Sequence, residues 1–300
     1  MIRHLRHTEI DKAAWDARLL RCANRLWYAQ SWVLDLACPG WEALIDEESG
    51  AMMPLTCRRK WGIDYLYQPL GLQQLGVLSV ELNGALCERF FAAIHERFRY
   101  IDIALNEAMS AVPADRGLTP SNNQVLAATA DIDAIRAGYS TGHRRNLKEA
   151  GIGLAPSVLD AAGFEALFRG TTGARFGASA VKGLGEFMAV VEVGMKRGQC
   201  SIAALADGHE VVAAACFATW EGRSILLKSA NTEAGYRAKS MFRITDDWLA
   251  RHAGSGDLLD FAGSNTSSVA RFNAGFGAVT RPYFRLRRNR LPLLVRWLKN

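Results

Sequence analysis

The chain has 300 residues, of which 49% are hydrophobic and 22% are charged, a composition that excludes a disordered chain and supplies enough apolar material for two domain cores. The formal net charge is +6, but the last twenty residues carry seven bases and no acid, whereas the other 280 carry 29 bases and 30 acids. The net positive charge is therefore confined to the C-terminal segment, which would suit an anionic ligand, RNA or anionic lipid, or simply solubility.

The first half of the sequence predicts helices, a hairpin and a strand–loop–helix–strand unit. Helix is predicted for the first forty residues, where Asp11 can cap a run with helical spacing and a second short helix stops at Pro39-Gly40. Two strand-like runs around the turn 46–50 predict a hairpin. The remaining predicted elements are a strand at 65–68, a helix at 82–98, and strands at 100–105 and 124–129.

From residue 131 the pattern becomes more polar. A helix over 131–150 is broken at Gly138, and Asp207-Gly208 joins two strands in a second predicted hairpin. The other predicted elements are strands at 152–157, 201–206, 211–220, 224–230, 258–262 and 278–286, and helices at 161–169, 187–196, 239–252 and 267–274. Hairpins mixed with strand–helix–strand crossovers indicate an α/β protein with mixed α+β layers.

The sequence contains one internal echo. Both strand–loop–helix–strand units place an aspartate third in their second strand, Asp102 in the first unit and Asp260 in the second. The echo predicts a duplicated domain, with an N-terminal domain at 1–130 and a C-terminal domain at 131–300.

Several classes of site are excluded or unsupported. The six cysteines form no C-x-x-C pair, so we expect no metal site, and their apolar surroundings indicate reduced thiols and a cytoplasmic protein. No run is long or apolar enough for a signal peptide or an integral membrane segment. Neither G-x-G-x-x-G nor the P-loop pattern occurs, so Rossmann cofactors and P-loop nucleotides are unsupported.

Two segments could hold an anion. Gly138-Tyr-Ser-Thr-Gly142 matches the G-x-S-x-G pattern, but no apolar strand precedes it, which favours Ser140 or Thr141 as a helix cap over a hydrolase nucleophile. The helix that follows opens with a basic cluster, which fits either an anionic ligand or a solvated face. The segment 231–240 joins a strand to a helix and could bind a pyrophosphate with its backbone N–H groups, or be an ordinary connection.

At this point a resemblance to a known family emerges. Asp260-Phe-Ala-Gly263-Ser264, followed by Arg271-Phe-Asn-Ala-Gly-Phe-Gly277, resembles the C-terminal signature of FemAB-like GNAT proteins, with Asn273 where lysine is common. The segment 139–148 looks like the basic helix that opens the second domain of these proteins. Tyr67-Gln68-Pro69 and the run 73–77 resemble a bacterial subgroup of that family.

The resemblance implies two GNAT-like domains in tandem, each a mixed sheet flanked by helices, and a GNAT-type acyltransferase. Such an enzyme moves an acyl group from acetyl-CoA or another acyl-CoA to the amine of a small molecule or peptide. Two alternatives stay open: a FemAB-like transferase that uses aminoacyl-tRNA, which the basic tail would suit, and a catalytically silent binding module. The glycine-rich pyrophosphate loop of ordinary GNAT enzymes is reduced here to Gly235-Tyr-Arg-Ala.

The expected site residues follow from the resemblance and from the chemistry of acyl transfer, which needs donors for an oxyanion and an acceptor for a proton. The coenzyme would lie against Ser229, Ala230, Asn231, Gly235, Tyr236, Arg237, Ala238, Lys239 and Ser240. The candidates for proton transfer are Asp260, Glu186 and Tyr236. The substrate would meet Arg144, Arg145, Lys148, Gln68, Gln73 and Gln74.

Overall fold

The structure is a computed structural model that describes residues 1–111, 117–263 and 265–292. The chain divides into two compact units. Unit 1 contains Met1–Ser121 and the segment that begins at Pro282, and unit 2 contains Asn122–Arg281. The predicted domain boundary near residue 130 stays a prediction, because compactness alone does not establish an independently folding domain.

Unit 1 combines three helices with two groups of strands. Its helices are α1 (Lys12–Arg21), α2 (Ser31–Ala37) and α3 (Gly84–Ala93). Its strands are β1 (Ile2–Leu5), β2 (Glu42–Asp46), β3 (Met52–Leu55), β4 (Cys57–Lys60), β5 (Ile63–Tyr67), β6 (Phe98–Ala104) and most of the last strand of the chain, Val279–Asn289.

The strands of unit 1 form a small antiparallel sheet and a mixed sheet. The small sheet has the order β1-β2-β3. In the mixed sheet, β4 is antiparallel to β5, β5 is parallel to β6, and β6 is antiparallel to the last strand. Helix α3 packs Phe90 and Phe91 into a core that contains Leu66, Ile101 and Leu286, so this sheet buries one face.

Unit 2 consists of a six-stranded mixed sheet and its helices. Its strands are β7 (Leu118–Ala127, from residue 122), β8 (Ala155–Ser157), β9 (Cys200–Asp207), β10 (Glu210–Trp220), β11 (Arg223–Asn231) and β12 (Leu258–Asp260); the last strand of the chain is β13 (Val279–Asn289). Its helices are α4 (Ile132–Ala137), α5 (Thr141–Glu149), α6 (Ala161–Phe168), α7 (Ala174–Phe176), α8 (Ala178–Val181), α9 (Leu184–Lys196), α10 (Glu233–Arg237), α11 (Ser240–His252) and α12 (Ser267–Gly275).

The sheet of unit 2 has the strand order β7-β12-β11-β10-β9-β8. Helix α11 covers one face, where Ile244, Trp248 and Leu249 share a core with Ala215 and Phe217 of β10. Helices α6 and α9 pack against β11 and β9. No helix in the described part of the chain has the length and hydropathy needed to cross a bilayer.

The same pairing pattern occurs in both units. A hairpin joins β4 to β5 and β10 to β11, a helical crossover then leads to a parallel strand, and an antiparallel strand lies beyond it. The strands that follow the crossovers are β6 and β12, and they carry Asp102 and Asp260. The antiparallel neighbour of β6 is β13, and that of β12 is β7.

Most predicted elements are present, with two differences at the N-terminus. The prediction of helix for the first residues is wrong, because Ile2–Leu5 forms β1 and pairs with β2. Four residues are too few for a period of two to be distinguished from a helical period. The second strand of the predicted first hairpin is divided at Thr56 into β3 and β4, which belong to different sheets.

Candidate functional site

On one side, β11 has no neighbouring strand beyond its third residue. Its parallel pairing with β12 runs only from Arg223↔Leu258 to Ile225↔Asp260, after which β12 ends. Strand β11 continues to Asn231 and stays paired with β10 on its other side. Among the strands that the structure describes, none covers Leu226–Asn231 on the side that β12 leaves.

The backbone groups of Ser229 and Asn231 point to this open side. The N–H of Thr232 donates to the carbonyl of Val212, the residue before the β10 segment that pairs with β11. Because successive residues of a strand direct their backbone groups to opposite sides, Asn231 and Ser229 point away from β10. The hydroxyl of Thr172 donates to the Ser229 carbonyl at 3.2 Å, which leaves the Ser229 N–H for a ligand.

Lys228 lies beside this edge and was not among the site residues predicted from the sequence. A bulge in β11 places Lys228 opposite Cys216, so its side chain projects from the face that α11 does not cover. It is half-buried and makes no hydrogen bond or ion pair with any residue in the described part of the chain. Burial lowers the pKa of its ammonium group below the ordinary value of 10.5. A lysine inside a strand gives no sequence signal for such a setting.

Asp260 is enclosed at the point where β12 ends. Its carboxylate accepts hydrogen bonds from Arg223 (2.5 Å to Nη2), from Asn123 Nδ2 (2.9 Å) and from the N–H of Ala262 (2.8 Å). The Asn123 carbonyl oxygen in turn accepts from the Gly263 N–H at 3.0 Å. These bonds hold the turn that carries the chain away from β11, so Asp260 shapes the opening, and its predicted role in proton transfer stays a prediction.

The predicted coenzyme loop is folded into a short helix. Thr232 caps α10 by accepting from the Gly235 N–H at 3.1 Å. The N–H groups of Tyr236, Ala238 and Lys239 donate to carbonyls of the same segment. Several donors that would cradle a pyrophosphate are therefore already used, and within 232–240 the unused N–H groups lie in the first turns of α10 and α11.

Gly235 is required at its position by a close approach. A Cβ atom there would overlap Asn231 Oδ1 and the carbonyl oxygen of Val212. Lys239 has a left-handed backbone (φ +54°) and pairs with Glu149 at 2.5 Å, which lowers the pKa of that carboxyl. Ser240 is buried, and its hydroxyl has no hydrogen-bond partner within the described residues.

The other two candidates for proton transfer differ in exposure. Tyr236 is 56% exposed on α10, and Glu186 is half-buried in the first turn of α9. Asn273, which stands where lysine is common in the family signature, is buried in α12. Nothing in the structure tests these roles, and they stay predictions.

The three basic candidates of helix α5 are all exposed. Ser140 caps this helix, as predicted, by accepting from the His143 N–H. The guanidinium of Arg144 donates to the carbonyls of Ala137 (3.1 Å) and Tyr139 (2.5 Å), so it closes the end of α4. The predicted contact of Arg144, Arg145 and Lys148 with an anionic substrate stays a prediction.

His143 fills the space beneath α12. Its ring packs against the rings of Phe242, Phe272 and Phe276, and its Nε2 lies 2.9 Å from the Phe272 carbonyl. Burial lowers the pKa of the imidazole. A Cβ atom on Gly275 would overlap this ring, which explains the glycine in the signature segment.

The three glutamines that were predicted to meet the substrate lie in the loop after β5. Gln68 accepts from the Ala104 N–H at 2.8 Å and donates to the Leu72 carbonyl, and Gln74 accepts from the Glu107 N–H at 2.8 Å. A bridge between Leu75 and Leu105 extends the parallel pairing of β5 and β6. Strand β5 stays paired with β6 to its last residue, Tyr67↔Asp102, so no stretch of β5 is left open in the way that the end of β11 is. The predicted substrate contacts of Gln68, Gln73 and Gln74 stay predictions.

No group of three potential metal ligands occurs among residues 1–111, 117–263 and 265–292. The six cysteines are free thiols, and burial raises the pKa of Cys22 to about 11 and that of Cys200 to about 12. These thiols are therefore protonated at neutral pH and poor nucleophiles.

Solved structures with the same fold exist. FemX matches with a TM-score of 0.65 over 99% of this chain and 100% of that chain, at 11% identity. A tandem GNAT protein from the clavulanic acid biosynthesis pathway matches with a TM-score of 0.52 over 96% and 97%, at 12% identity. L-PGS from Bacillus licheniformis matches with 0.51 over 96% and 95%, at 13% identity.

No family model and no curated protein matches the sequence. The structural matches confirm the predicted fold class, since the chain has the FemAB-like tandem GNAT fold with mixed sheets flanked by helices. At 11–13% identity they establish the fold and leave the substrates open.

Proposed function

We propose that unit 2 transfers an acyl group to an amine at the open edge of β11. The observation that carries the proposal is the pair of N–H groups at Ser229 and Asn231, which point away from β10 into the space that β12 leaves. Fixed N–H donors of this kind stabilise the oxyanion that forms when an amine attacks a carbonyl. The likeness of the fold to FemX and to a tandem GNAT protein supports this choice of chemistry.

Lys228 supplies the proton acceptor in this proposal. A half-buried lysine with no counter-ion is neutral in a larger fraction of molecules than an exposed one, and a neutral amine can take a proton from the ammonium group of the acceptor. The acceptor nitrogen then attacks the acyl carbon, a C–N bond forms, and the bond from carbon to the leaving sulfur or oxygen breaks. The proton held by Lys228 passes to the leaving sulfur or oxygen, and the nitrogen of the new C–N bond releases its second proton to water, so that a neutral amide and a thiol or hydroxyl result.

The donor in the first form of the proposal is acetyl-CoA or another acyl-CoA. Its diphosphate would lie at the start of α11, near the exposed guanidinium of Arg237. A specific observation favours a second candidate, an aminoacyl-tRNA donor. Helix α10 uses the N–H groups of the segment that cradles the diphosphate in ordinary GNAT enzymes, and an aminoacyl ester does not need that cradle.

The test compares two substitutions of one residue. Ser229→Pro removes the backbone N–H, and Ser229→Ala keeps it and removes only the hydroxyl. Acyl transfer to a panel of amines is measured with radiolabelled acetyl-CoA and with aminoacyl-tRNA. Loss of one oxyanion donor costs about 10²–10³ in kcat, so we expect Ser229→Pro to lose that factor and Ser229→Ala to stay close to the unsubstituted protein.

Circular dichroism and thermal melting check whether the Ser229→Pro variant is folded. We expect it to fold, because the backbone of Ser229 makes no hydrogen bond to β10. A folded Ser229→Pro protein with full activity would contradict the proposal. The absence of transfer from either donor to any amine would favour the silent binding module. Transfer from aminoacyl-tRNA alone would select the second donor.

A further inference from the structure

The mixed sheet of unit 1 has a second face, opposite the core beneath α3. Side chains of a strand alternate between faces, and directly paired residues share one. Since Leu66, Ile101 and Leu286 belong to the core, their neighbours project from the other side. We name this side the tyrosine face, and it carries Arg58, Lys60, Tyr65, Tyr67, Tyr100, Asp102, Arg285 and Arg287.

The charges of the tyrosine face lie on two strands, one on each side of the tyrosines. Arg58 and Lys60 lie on β4, an edge strand, and Arg285 and Arg287 lie on β13, whose other side pairs with β7; all four are exposed. Among these residues Asp102 is the single acid, and it pairs with Arg285 and lies 3.7 Å from Arg287. The face therefore keeps an excess of positive charge. Neighbouring strands are ~4.8 Å apart, which places β4 and β13 ~14 Å from each other.

Aromatic rings lie between the basic residues of β4 and those of β13, and also at the turn of the β4–β5 hairpin. Tyr65 and Tyr67 are half-buried, with ring centroids 5.9 Å apart. Trp61 occupies the turn between β4 and β5, is 77% exposed, and has a left-handed backbone (φ +50°). Cations approach these rings: Lys60 Nζ is 4.5 Å from the Trp61 centroid and the Arg58 guanidinium is 4.8 Å from the Tyr67 centroid.

An exposed tryptophan beside three consecutive bases needs a physical reason, because large apolar side chains gain free energy when they leave water. Aromatic rings on the inner strands of a sheet can stack with unpaired bases, and cations on the strands beside them can contact the phosphates between those bases. We propose that the tyrosine face, together with Trp61, binds single-stranded nucleic acid. This inference concerns unit 1 and does not rest on the proposed function.

The geometry favours nucleic acid over a membrane surface. Segments that insert into the interface of a bilayer present a cluster of protruding apolar side chains. Here Trp61 alone among these aromatic residues is exposed, and Tyr65 and Tyr67 lie within the surface of the sheet. Half-buried rings at the level of the sheet can stack with bases, but they offer little depth of insertion into a bilayer.

The experiment measures fluorescence anisotropy of a labelled twelve-nucleotide single-stranded oligoribonucleotide with the full chain at several salt concentrations. Four contacting cations predict that log K falls with log salt with a slope of about −2.8, from ~0.7 per contact. Arg58→Gln with Arg287→Gln should lower that slope to about −1.4. Trp61→Ala and Tyr65→Ala should each weaken binding about fivefold or more, since stacking contributes ~1–3 kcal/mol per base.

The matched control is Lys182→Gln with Lys196→Gln, which removes two exposed charges from unit 2. It should leave the slope and affinity unchanged. The proposal is overturned if the chain does not bind the oligonucleotide, or if the control variant loses as much affinity as the Arg58/Arg287 variant. Binding to phosphatidylglycerol vesicles, lost in Trp61→Ala, without binding to the oligonucleotide would also overturn it and would assign the face to a membrane.

Discussion

Asp102 and Asp260 occupy corresponding strands, yet the two carboxylates have different surroundings. The side chain of Asp260 is fully buried with Arg223 as its partner, whereas Asp102 is 13% exposed beside the more accessible Arg285. Removing one partner of a buried ion pair costs much more than removing one partner of an exposed pair. The Asp260 pair therefore holds the turn at the end of β12, and the Asp102 pair leaves its arginines available at the surface.

At the same scale, Lys228→Met should stabilise the protein at neutral pH. A half-buried ammonium that pairs with no residue in the described ranges is unfavourable in the folded state, and methionine has a similar shape without the charge. We expect a gain on the order of 1 kcal/mol, which would raise Tm by roughly 2–4 °C for domains of this size. Thermal melts measure the gain, and Lys182→Met, at an exposed position, should give none.

The gain from Lys228→Met should depend on pH. Because the folded pKa lies below the unfolded value, the charged form is penalised fully at pH values below the folded pKa. The penalty disappears as pH rises towards the ordinary value of 10.5, where the unfolded chain also loses its proton. The difference between the two proteins should therefore shrink with rising pH, and a difference that grows would show that Lys228 has a counter-ion.

At the scale of elements, the packing of α5 against α12 depends on the imidazole of His143 and on Gly275. Gly275→Ala should destabilise unit 2 by roughly 1–3 kcal/mol, because the added Cβ overlaps the His143 ring, which is held by three phenylalanine rings and by its contact with the Phe272 carbonyl. The free energy of unfolding in urea measures the cost. His143→Ala in the same chain should remove much of the additional penalty, which a double-mutant cycle quantifies.

Gly185→Ala is the control for Gly275→Ala. Gly185 lies in α9, and a Cβ atom there would meet no other atom within 4 Å. Alanine in a helix is favoured over glycine by about 0.5–1 kcal/mol, so this variant should be slightly more stable. If Gly275→Ala behaved like Gly185→Ala, the fit between the two helices would be looser than the structure indicates.

The elements of this chain were more predictable than its site. Asp11, Asp131, Ser140 and Asp160 each cap a helix by accepting an N–H, and two of them, Asp11 and Ser140, were predicted as caps from the sequence. Such signals are local, since a cap and its helix lie within four residues. The open edge of β11 is not local, because it arises where β12, more than thirty residues later, ends too early to cover it.

Lys228 and the helical conformation of the coenzyme segment are also non-local properties. Lys228 is isolated by the bulge opposite Cys216 and Phe217, and a shift of one residue would turn it to the other face. The segment after β11 was expected to present its N–H groups, and it forms α10 instead. Propensity alone cannot decide between these two forms, because five residues gain little from helix formation without their surroundings.

At the scale of the whole molecule, unit 1 depends on a strand from the far end of the chain. The last strand, β13, pairs with residues 100–104 and contributes Leu286 to the core under α3. Ending the chain after Arg281 should therefore expose the edge of β6 and loosen unit 1, whereas the strands β10 and β11 should keep their partners. Amide hydrogen exchange measures both effects in one experiment.

A chain that ends after Arg290 is the control, since it keeps the whole of β13. Its β6 amides should exchange as slowly as those of the full chain. Unchanged protection of β6 in the shorter chain would mean that the pairing with β13 contributes little to the stability of unit 1.

The place of β13 also sets an order of folding during synthesis. Unit 1 leaves the ribosome first, but β6 cannot pair with β13 until the segment after Pro282 has been synthesised. Unit 2, within residues 122–281, is translated completely before that segment appears. The unit that starts second can thus finish first, and the nascent N-terminal half carries an exposed strand edge, open to wrong partners, for most of the time the chain is being made.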